Sequence, residues 1–315
     1  MSSSRAGTPA RWTMADLPDL TGRRALVTGV TSGIGERTAL ELARRGAEVV
    51  LAARSDAKLD KTEADVMAAV PAAVLHRVIV DLADLSSVRR AAHQVAGTGP
   101  LHLLVNNAGV MALPYARTVD GFELQLGTNH LGPFLLTGLL LPQLVESGDG
   151  RVVTVASNAH WMARHAPLDD PRTAPGRYSR WGAYAGSKLA NLLFTFELDR
   201  RLRATGLPVK ALAAHPGYSA TELMGKTGGA GGWIMAAASR FLGQPPSLGA
   251  LPTLVAATAD LPGSTYIGPD GLGQMRGHPR IVRPSRRALD EAAQRRLWEL
   301  SEAATGLRYP DRSHS

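Results

Sequence analysis

Cysteine is absent from the 315 residues. Structural disulfides, thiolate catalysis and cysteine-ligated metal sites are therefore excluded. Lysine is scarce, at five of the 35 basic residues. The arginines that make up the rest are spread along the chain, and no basic stripe carries interleaved aromatic residues. The net charge of +8 and pI of about 10.2 thus do not outline a nucleic-acid face, and no nucleic-acid partner is expected. The densest basic group, Arg276, Arg280, Arg283, Arg286 and Arg287, reads as a solvated surface that could meet an anionic partner. Long apolar runs are missing too. The most apolar one, 134–141, is interrupted by Thr137 and Gly138 and flanked by Pro133 and Pro142. Crossing a bilayer takes about 20 apolar residues. Residues 1–20 lack the apolar core of a secretory signal, so a cytoplasmic protein without an integral membrane segment is expected. His130, His160 and His165 are tempting as bases or ligands, but no His/Asp/Glu spacing matches a metal site, and no metal is expected.

What is present is an alternation of β-type and helix-type runs from residue 24 to about 215. Strands are expected at 24–30, 48–53, 74–80, 101–105, 151–156 and 208–214. Helices are expected at 33–45, 57–69, 84–96, 120–145 and 181–204. Gly46 supplies a helix stop and Pro71 bars continuation of the second helix. Strands so continuous in Val, Leu and Ala call for burial on both faces, hence a parallel, doubly wound α/β sheet in a single domain over 21–307. Residues 1–20 and 308–315 read as loose termini. Two segments break the alternation. The 158–180 stretch is polar and Pro-rich and precedes the Tyr184 helix, so it should border the site. The 221–246 stretch begins Gly-rich and continues into an apolar-faced helix, which reads as a substrate lid, with 233–242 able to touch a membrane surface peripherally.

The first expected strand runs into Thr28-Gly29-Val30-Thr31-Ser32-Gly33-Ile34-Gly35 and then a helix. Glycines let the backbone approach a pyrophosphate, and the helix N-terminus offers free N–H groups and partial positive charge. After the second strand, Ala53 stands where a ribose-binding carboxylate would be, and Arg54 follows. A guanidinium suits a 2′-phosphate, so NADP(H) is expected over NAD(H). Asp56 either caps the next helix or reaches a ribose. Asp81 and Leu82 are placed to border the adenine. Asn106, Asn107, Ala108 and Gly109 either line the cofactor or tie neighbouring strands together.

Tyr184 and Lys188 stand four apart on one expected helix and share a face. A nearby ammonium favours phenolate, which would make the phenol proton transferable near neutrality. Ser157 closes the fifth strand, where a hydroxyl can hold a substrate oxygen. Asn129 lies in the middle of an expected helix, where it could hold a water relaying protons from Lys188.

Together these residues resemble the short-chain dehydrogenase/reductase family, over nearly the whole chain. Pro216-Gly217-x-x-x-Thr221 follows in family order. Ala52-Ala53-Arg54, Asn129-His130-Leu131-Gly132, Ser187-Lys188-Leu189-Ala190-Asn191 and Leu297-Trp298-Glu299-Leu300-Ser301 resemble the retinol-dehydrogenase-like branch. The resemblance implies a Rossmann-type seven-stranded parallel sheet with Asn129, Ser157, Tyr184 and Lys188 as a catalytic tetrad. It further implies that Lys188 binds the nicotinamide ribose, that Thr221 holds the carboxamide, and that copies pair through the helices carrying Asn129 and Tyr184. The expected function is NADP(H)-dependent hydride transfer to or from a small apolar ketone, aldehyde or alcohol. The alternative is a catalytically silent NADP(H)-binding scaffold on the same fold.

Overall fold

A computed structural model describes residues 11–172, 176–217 and 245–310. Strands β1 (Arg24–Thr28), β2 (Glu48–Ala53), β3 (Leu75–Ile79), β4 (Leu103–Asn106), β5 (Gly150–Val155), β6 (Val209–Ala214), β7 (Tyr266–Pro269) and β8 (Pro279–Ile281) form one sheet in the order β3-β2-β1-β4-β5-β6-β7-β8. The pairs from β3 through β7 are parallel. Helices α1 (Gly33–Arg44), α2 (Asp56–Ala69) and α3 (Leu85–Ala96) supply the early crossovers, and α7 (Arg180–Thr205) and α8 (Pro246–Thr258) the later ones.

The strands alternate between two cores, as a period of two requires. Ala25, Val27, Leu51 and Val105 point to a layer with Leu42, Leu59 and Leu254 from α1, α2 and α8. Leu26, Val50, Leu104 and Val152 point the other way, toward Val88, Phe134, Leu198 and Trp298. The chain order reverses between β1 and β4. The crevice beyond the carboxyl ends of those strands is where such sheets hold ligands.

Three expectations are corrected. The sheet has eight strands, not seven, and the last pairs antiparallel with β7, Ile267 opposite Ile281. A three-residue strand that begins with Pro279 falls below the usual strand length and carries little pattern. The continuous helix over 120–145 is broken into α4 (Leu124–Leu126), a π turn over Gly127–Leu131, α5 (Gly132–Leu139) and α6 (Leu141–Glu146). The Gly132 N–H bonds back to the Gly127 carbonyl, the five-residue step of a π turn. A Cβ at Gly127 would overlap the Thr118 methyl, so the break is also a packing requirement.

The termini are the third correction. Trp12, Leu17 and Leu20 are buried against the α1 and α8 side of the sheet, and Thr13 and Asp16 close a reciprocal helix cap. At the other end Tyr309 is buried, and its hydroxyl donates to the Phe134 carbonyl at 2.8 Å. Helix α9 (Glu291–Thr305) lies on α7 and the π turn, with Trp298 stacked on Phe194 at 5.8 Å and His130 bonded to Ser301 at 2.7 Å. The part of those helices that α9 covers is not available to a second copy. The expected lid over 221–246 lies outside the described residues up to 244.

Phe134 meets Trp298 at 4.9 Å and Tyr309 at 4.8 Å between ring centroids. Truncating a buried aromatic costs about 3–5 kcal/mol. Tyr309→Ala should therefore lower unfolding free energy by about 3 kcal/mol in urea titrations. An unshifted midpoint would show that this aromatic cluster does not hold the tail.

Candidate active site

The glycine turn has the shape of a phosphate cradle. Gly29 and Gly33 take positive φ, at 73° and 62°, which side chains rarely adopt. A Cβ at Gly35 would overlap the Gly29 carbonyl and the Asn107 amide. Helix α1 opens at Gly33, and Ser32 at its cap makes no side-chain hydrogen bond, so the first N–H groups are not satisfied by their own cap. Thr28 ties this turn to the next strand end: its Oγ1 accepts from the Asn107 and Ala108 N–H groups, both at 3.0 Å. The Asn107 amide donates to the Thr28 carbonyl at 2.8 Å. Asn106 bonds Thr137 across the core at 2.9 Å. Asn107 therefore ties the ends of β4 and β1 while also lining the cleft over them, and Asn106 ties β4 to α5.

A cleft of about 540 Å³ runs over these strand ends. One end is lined by Gly29, Thr31, Ser32, Gly33, Ile34, Gly35, Ala53, Arg54, Asp81 and Leu82. The other is lined by Ser157, Tyr184, Lys188, Pro216 and Gly217, with Asn107, Ala108 and Gly109 between. The cradle, the helix terminus and a cleft of this length fit a dinucleotide. Arg54 is exposed and makes no ion pair among the described residues, whereas Asp56 is engaged by Arg77. Ser55, not Asp56, occupies the cap position of α2. The carboxylate that could have reached a ribose is thus turned to a neighbouring strand. Thr221 lies outside the described residues.

Ser157, Tyr184 and Lys188 converge. Ser157 lies two residues past the end of β5 and caps the Asn158–Met162 turn, accepting from the Ala159 N–H at 3.1 Å. Tyr184 is buried, with the Ser157 hydroxyl near enough to act on its phenol. The Lys188 Nζ sits 5.9 Å from the Tyr184 ring centroid and donates to the Val155 carbonyl at 2.9 Å. Burial pulls the Lys188 pKa down to about 8. Burial also pushes the Tyr184 phenol up, and the Ser157 hydroxyl opposes it only in part. This reverses the expectation that the ammonium lowers the phenol. Desolvation, which disfavours the charged form of each group, is the leading cause of both shifts.

Asn129 sits in the π turn, but its side chain is filled by protein partners. Its Oδ1 accepts from the Val110 N–H at 2.7 Å, and its Nδ2 reaches the Val110 carbonyl and Ser187 Oγ, both at 2.9 Å. It clamps the Val110 backbone beside Lys188. Asn158, Met162, Trp181 and Met275 line the cleft beyond Tyr184 and were not singled out from the sequence. The Asn158 amide donates to the Gly273 carbonyl at 2.8 Å, which holds the Met275 loop over the cleft. Only the position of Asn158 directly after Ser157 could have drawn notice to it.

The profile of the short chain dehydrogenase family matches residues 23–167. Human retinol dehydrogenase 13 is 40% identical over 92% of this chain and 86% of its own length. The chain belongs to the short-chain dehydrogenase family. Mouse polyprenol dehydrogenase is 43% identical over 93% of this chain and 85% of its own length. A Mycobacterium paratuberculosis structure, described as a putative uncharacterized protein, superposes with a TM-score of 0.80 at 46% identity, covering 95% of this chain and 99% of its own. These relatives place the chain in the retinol-dehydrogenase-like branch, as an oxidoreductase that uses NAD(P)(H).

The histidines near the family motifs are structural. Among the described residues no group of His, Asp and Glu could hold a metal. His160 Nε2 accepts from the Ser285 N–H at 3.1 Å, so Nδ1 carries the proton and donates to the Ser157 carbonyl at 2.7 Å. His215 Nδ1 accepts from the Gly217 N–H, so Nε2 donates to Gln274 at 2.9 Å. Burial holds His130 down at about 3 and His215 at about 4. A histidine depressed in the folded state stabilises fully above its unfolded pKa of about 6.5, and that stability is lost as pH falls toward the folded value. Two such rings predict a loss of about 3 kcal/mol per pH unit between pH 6 and 4. Unfolding free energies that stay level from pH 7 to 5 would contradict this.

Proposed function

We propose that this chain is an NADP(H)-dependent oxidoreductase that moves a hydride between nicotinamide and an apolar ketone, aldehyde or alcohol, with Tyr184 as general acid and base. The reading rests on one observation: a buried phenol, with Ser157 beside it and 5.9 Å by its ring centroid from the Lys188 ammonium, stands in the same cleft as the glycine turn.

The dinucleotide, when bound, supplies or accepts the hydride. The glycine turn from Gly29 to Gly35 holds its pyrophosphate. Asp81 and Leu82 border the adenine, and Gly109, Pro216 and Gly217 enclose the nicotinamide end. Ser157 orients the substrate oxygen and stabilises the charge that grows on it. In reduction Tyr184 gives that oxygen its proton, and in alcohol oxidation it takes the proton back. Lys188 holds the ribose and keeps a cation beside the phenol. Asn129 acts as a positioning residue by bracing Val110 and Ser187.

Met162, Trp181 and Met275 support the apolar substrate class, because a polar chain would leave its hydrogen bonds unmade against them. The names of the relatives, a retinol and a polyprenol dehydrogenase, point to apolar alcohols as well. Arg54 supports NADP(H): it is exposed at the cleft, follows Ala53, and makes no ion pair with a carboxylate among the described residues.

Tyr184→Phe should lose about 10²–10⁴-fold in kcat, the range of a general acid or base, while NADPH still binds by fluorescence titration. Parent-like turnover in that variant would remove Tyr184 from the mechanism. If the parent binds NADPH but turns over nothing across retinoid, steroid, fatty-aldehyde and quinone substrates, the silent scaffold is favoured instead. For the cofactor, a charge-assisted hydrogen bond is worth about 1.5–3 kcal/mol. Arg54→Asp should therefore shift the NADP/NAD ratio of kcat/KM by roughly 10- to 100-fold toward NAD. An unchanged ratio would show that Arg54 does not hold the phosphate.

A further inference from the structure

The basic group from the sequence is not absorbed by the chemistry of the cleft, and the fold places it beside the cleft mouth. Arg276, Arg280, Arg283, Arg286 and Arg287 are all exposed, and none makes an ion pair among the described residues. The acidic side chains within the same stretch face backbone amides. Asp270 accepts from the His278 N–H at 2.9 Å, and Asp290 accepts from Ala292 and Ala293 at the start of α9. The stretch therefore shows solvent a surplus of guanidinium groups.

Large apolar side chains are interleaved with these arginines. Leu272 is 98% exposed, Ile281 52% and Leu289 57%. Burial of such side chains elsewhere is worth about 25 cal/mol per Å², so their joint exposure marks a surface that meets something apolar. Trp161 and Met162, also exposed, belong to the same surface. The Asn158–Met162 turn is fastened to it through Asn158 on Gly273 and through His160 on the Ser285 N–H at 3.1 Å. Met162 and Met275 also line the cleft, so its mouth opens within this surface.

We propose that the 272–289 surface, with the Trp161–Met162 tip, docks on an anionic lipid bilayer and turns the cleft mouth toward the membrane. Aliphatic tips enter the interfacial region while the arginines meet lipid phosphates, the pairing of apolar contact and positive charge by which peripheral proteins bind. A nucleic acid would be served by flat aromatic stackers between the arginines, and here the interleaved residues are Leu and Ile. A bilayer also suits an apolar substrate, which is concentrated there rather than in water. No described helix is long and apolar enough to cross a membrane, so this contact is peripheral.

The test is co-sedimentation of the full chain with vesicles of phosphatidylcholine alone and of phosphatidylcholine with 30% phosphatidylserine. Each arginine near a charged surface contributes about fivefold to partitioning. Binding should be confined to the anionic vesicles, weaken with salt, and fall by roughly 25-fold in the double variant Arg280→Glu/Arg286→Glu. Leu272→Glu should reduce it at constant salt. Circular dichroism and turnover of a short, water-soluble carbonyl serve as controls, since none of the three residues lines the cleft. Failure of the oxidoreductase reading would appear only in turnover, and failure of this one only in partitioning. No binding to anionic vesicles would overturn the proposal. So would equal binding to neutral ones, an unaffected charge-reversal variant, or capture of single-stranded RNA in place of vesicles.

Discussion

The carbonyl of Val155 is the point on which the site turns. It is the last residue of β5, and it accepts both Lys188 Nζ at 2.9 Å and Asn191 Nδ2 at 3.2 Å. These two bonds fasten the strand end to α7 at residues three apart, so they set both the helix's rotation and its height. With those set, Tyr184, one turn earlier, stands against Ser157, two residues beyond Val155. A shift of one residue along α7 would turn the phenol by about 100°. The carbonyl also compensates a cost. A buried ammonium without a hydrogen-bond partner would be expensive, and Lys188 stays buried because a strand-end carbonyl receives it.

The surroundings of that carbonyl are rigid for reasons that extend across the molecule. The β5 strand lies near the middle of the sheet, paired to β4 and β6 and covered on both faces. Asn129 braces the neighbouring backbone, and His160 holds the Ser157 carbonyl from the other side. Behind α7, the ring cluster of Phe134, Phe194, Trp298 and Tyr309 ties the C-terminal helix to the layer that carries the site. The far loop is held by Asn158 and by the His215 bond to Gln274, a residue with positive φ. Each side chain near the reacting centre is thus fixed by hydrogen bonds or packing that are not themselves part of the chemistry.

Much of this could be read along the chain where the signal is local. The glycine turn is legible because a strand, three glycines and a helix follow one another without a gap. Tyr184 and Lys188 are legible because four residues make one helical turn. The β/α alternation is legible because buried parallel strands are apolar on both faces. The π turn at Gly127–Leu131 is not legible, since α and π turns share the same composition, and the close approach of Thr118 to Gly127 comes from a residue outside the turn. The packed ends escaped for a similar reason: Trp12 and Tyr309 are single aromatic residues in polar segments, and only distant partners bury them. The role of Asp56 depended on Arg77, twenty-one residues away on β3.

The sequence alone determined which groups are available: no thiol, a glycine cradle, a phenol and an amine on one helical face, and an arginine in place of a carboxylate after β2. These follow from composition and from spacings shorter than a helix turn or a strand. Tertiary structure decided how the groups behave. Burial from several elements at once raises the phenol of Tyr184 and lowers the amine of Lys188, against the direction that their proximity suggests. Desolvation is summed over all surrounding atoms, most of them far away in the chain, and no short stretch of sequence contains that sum.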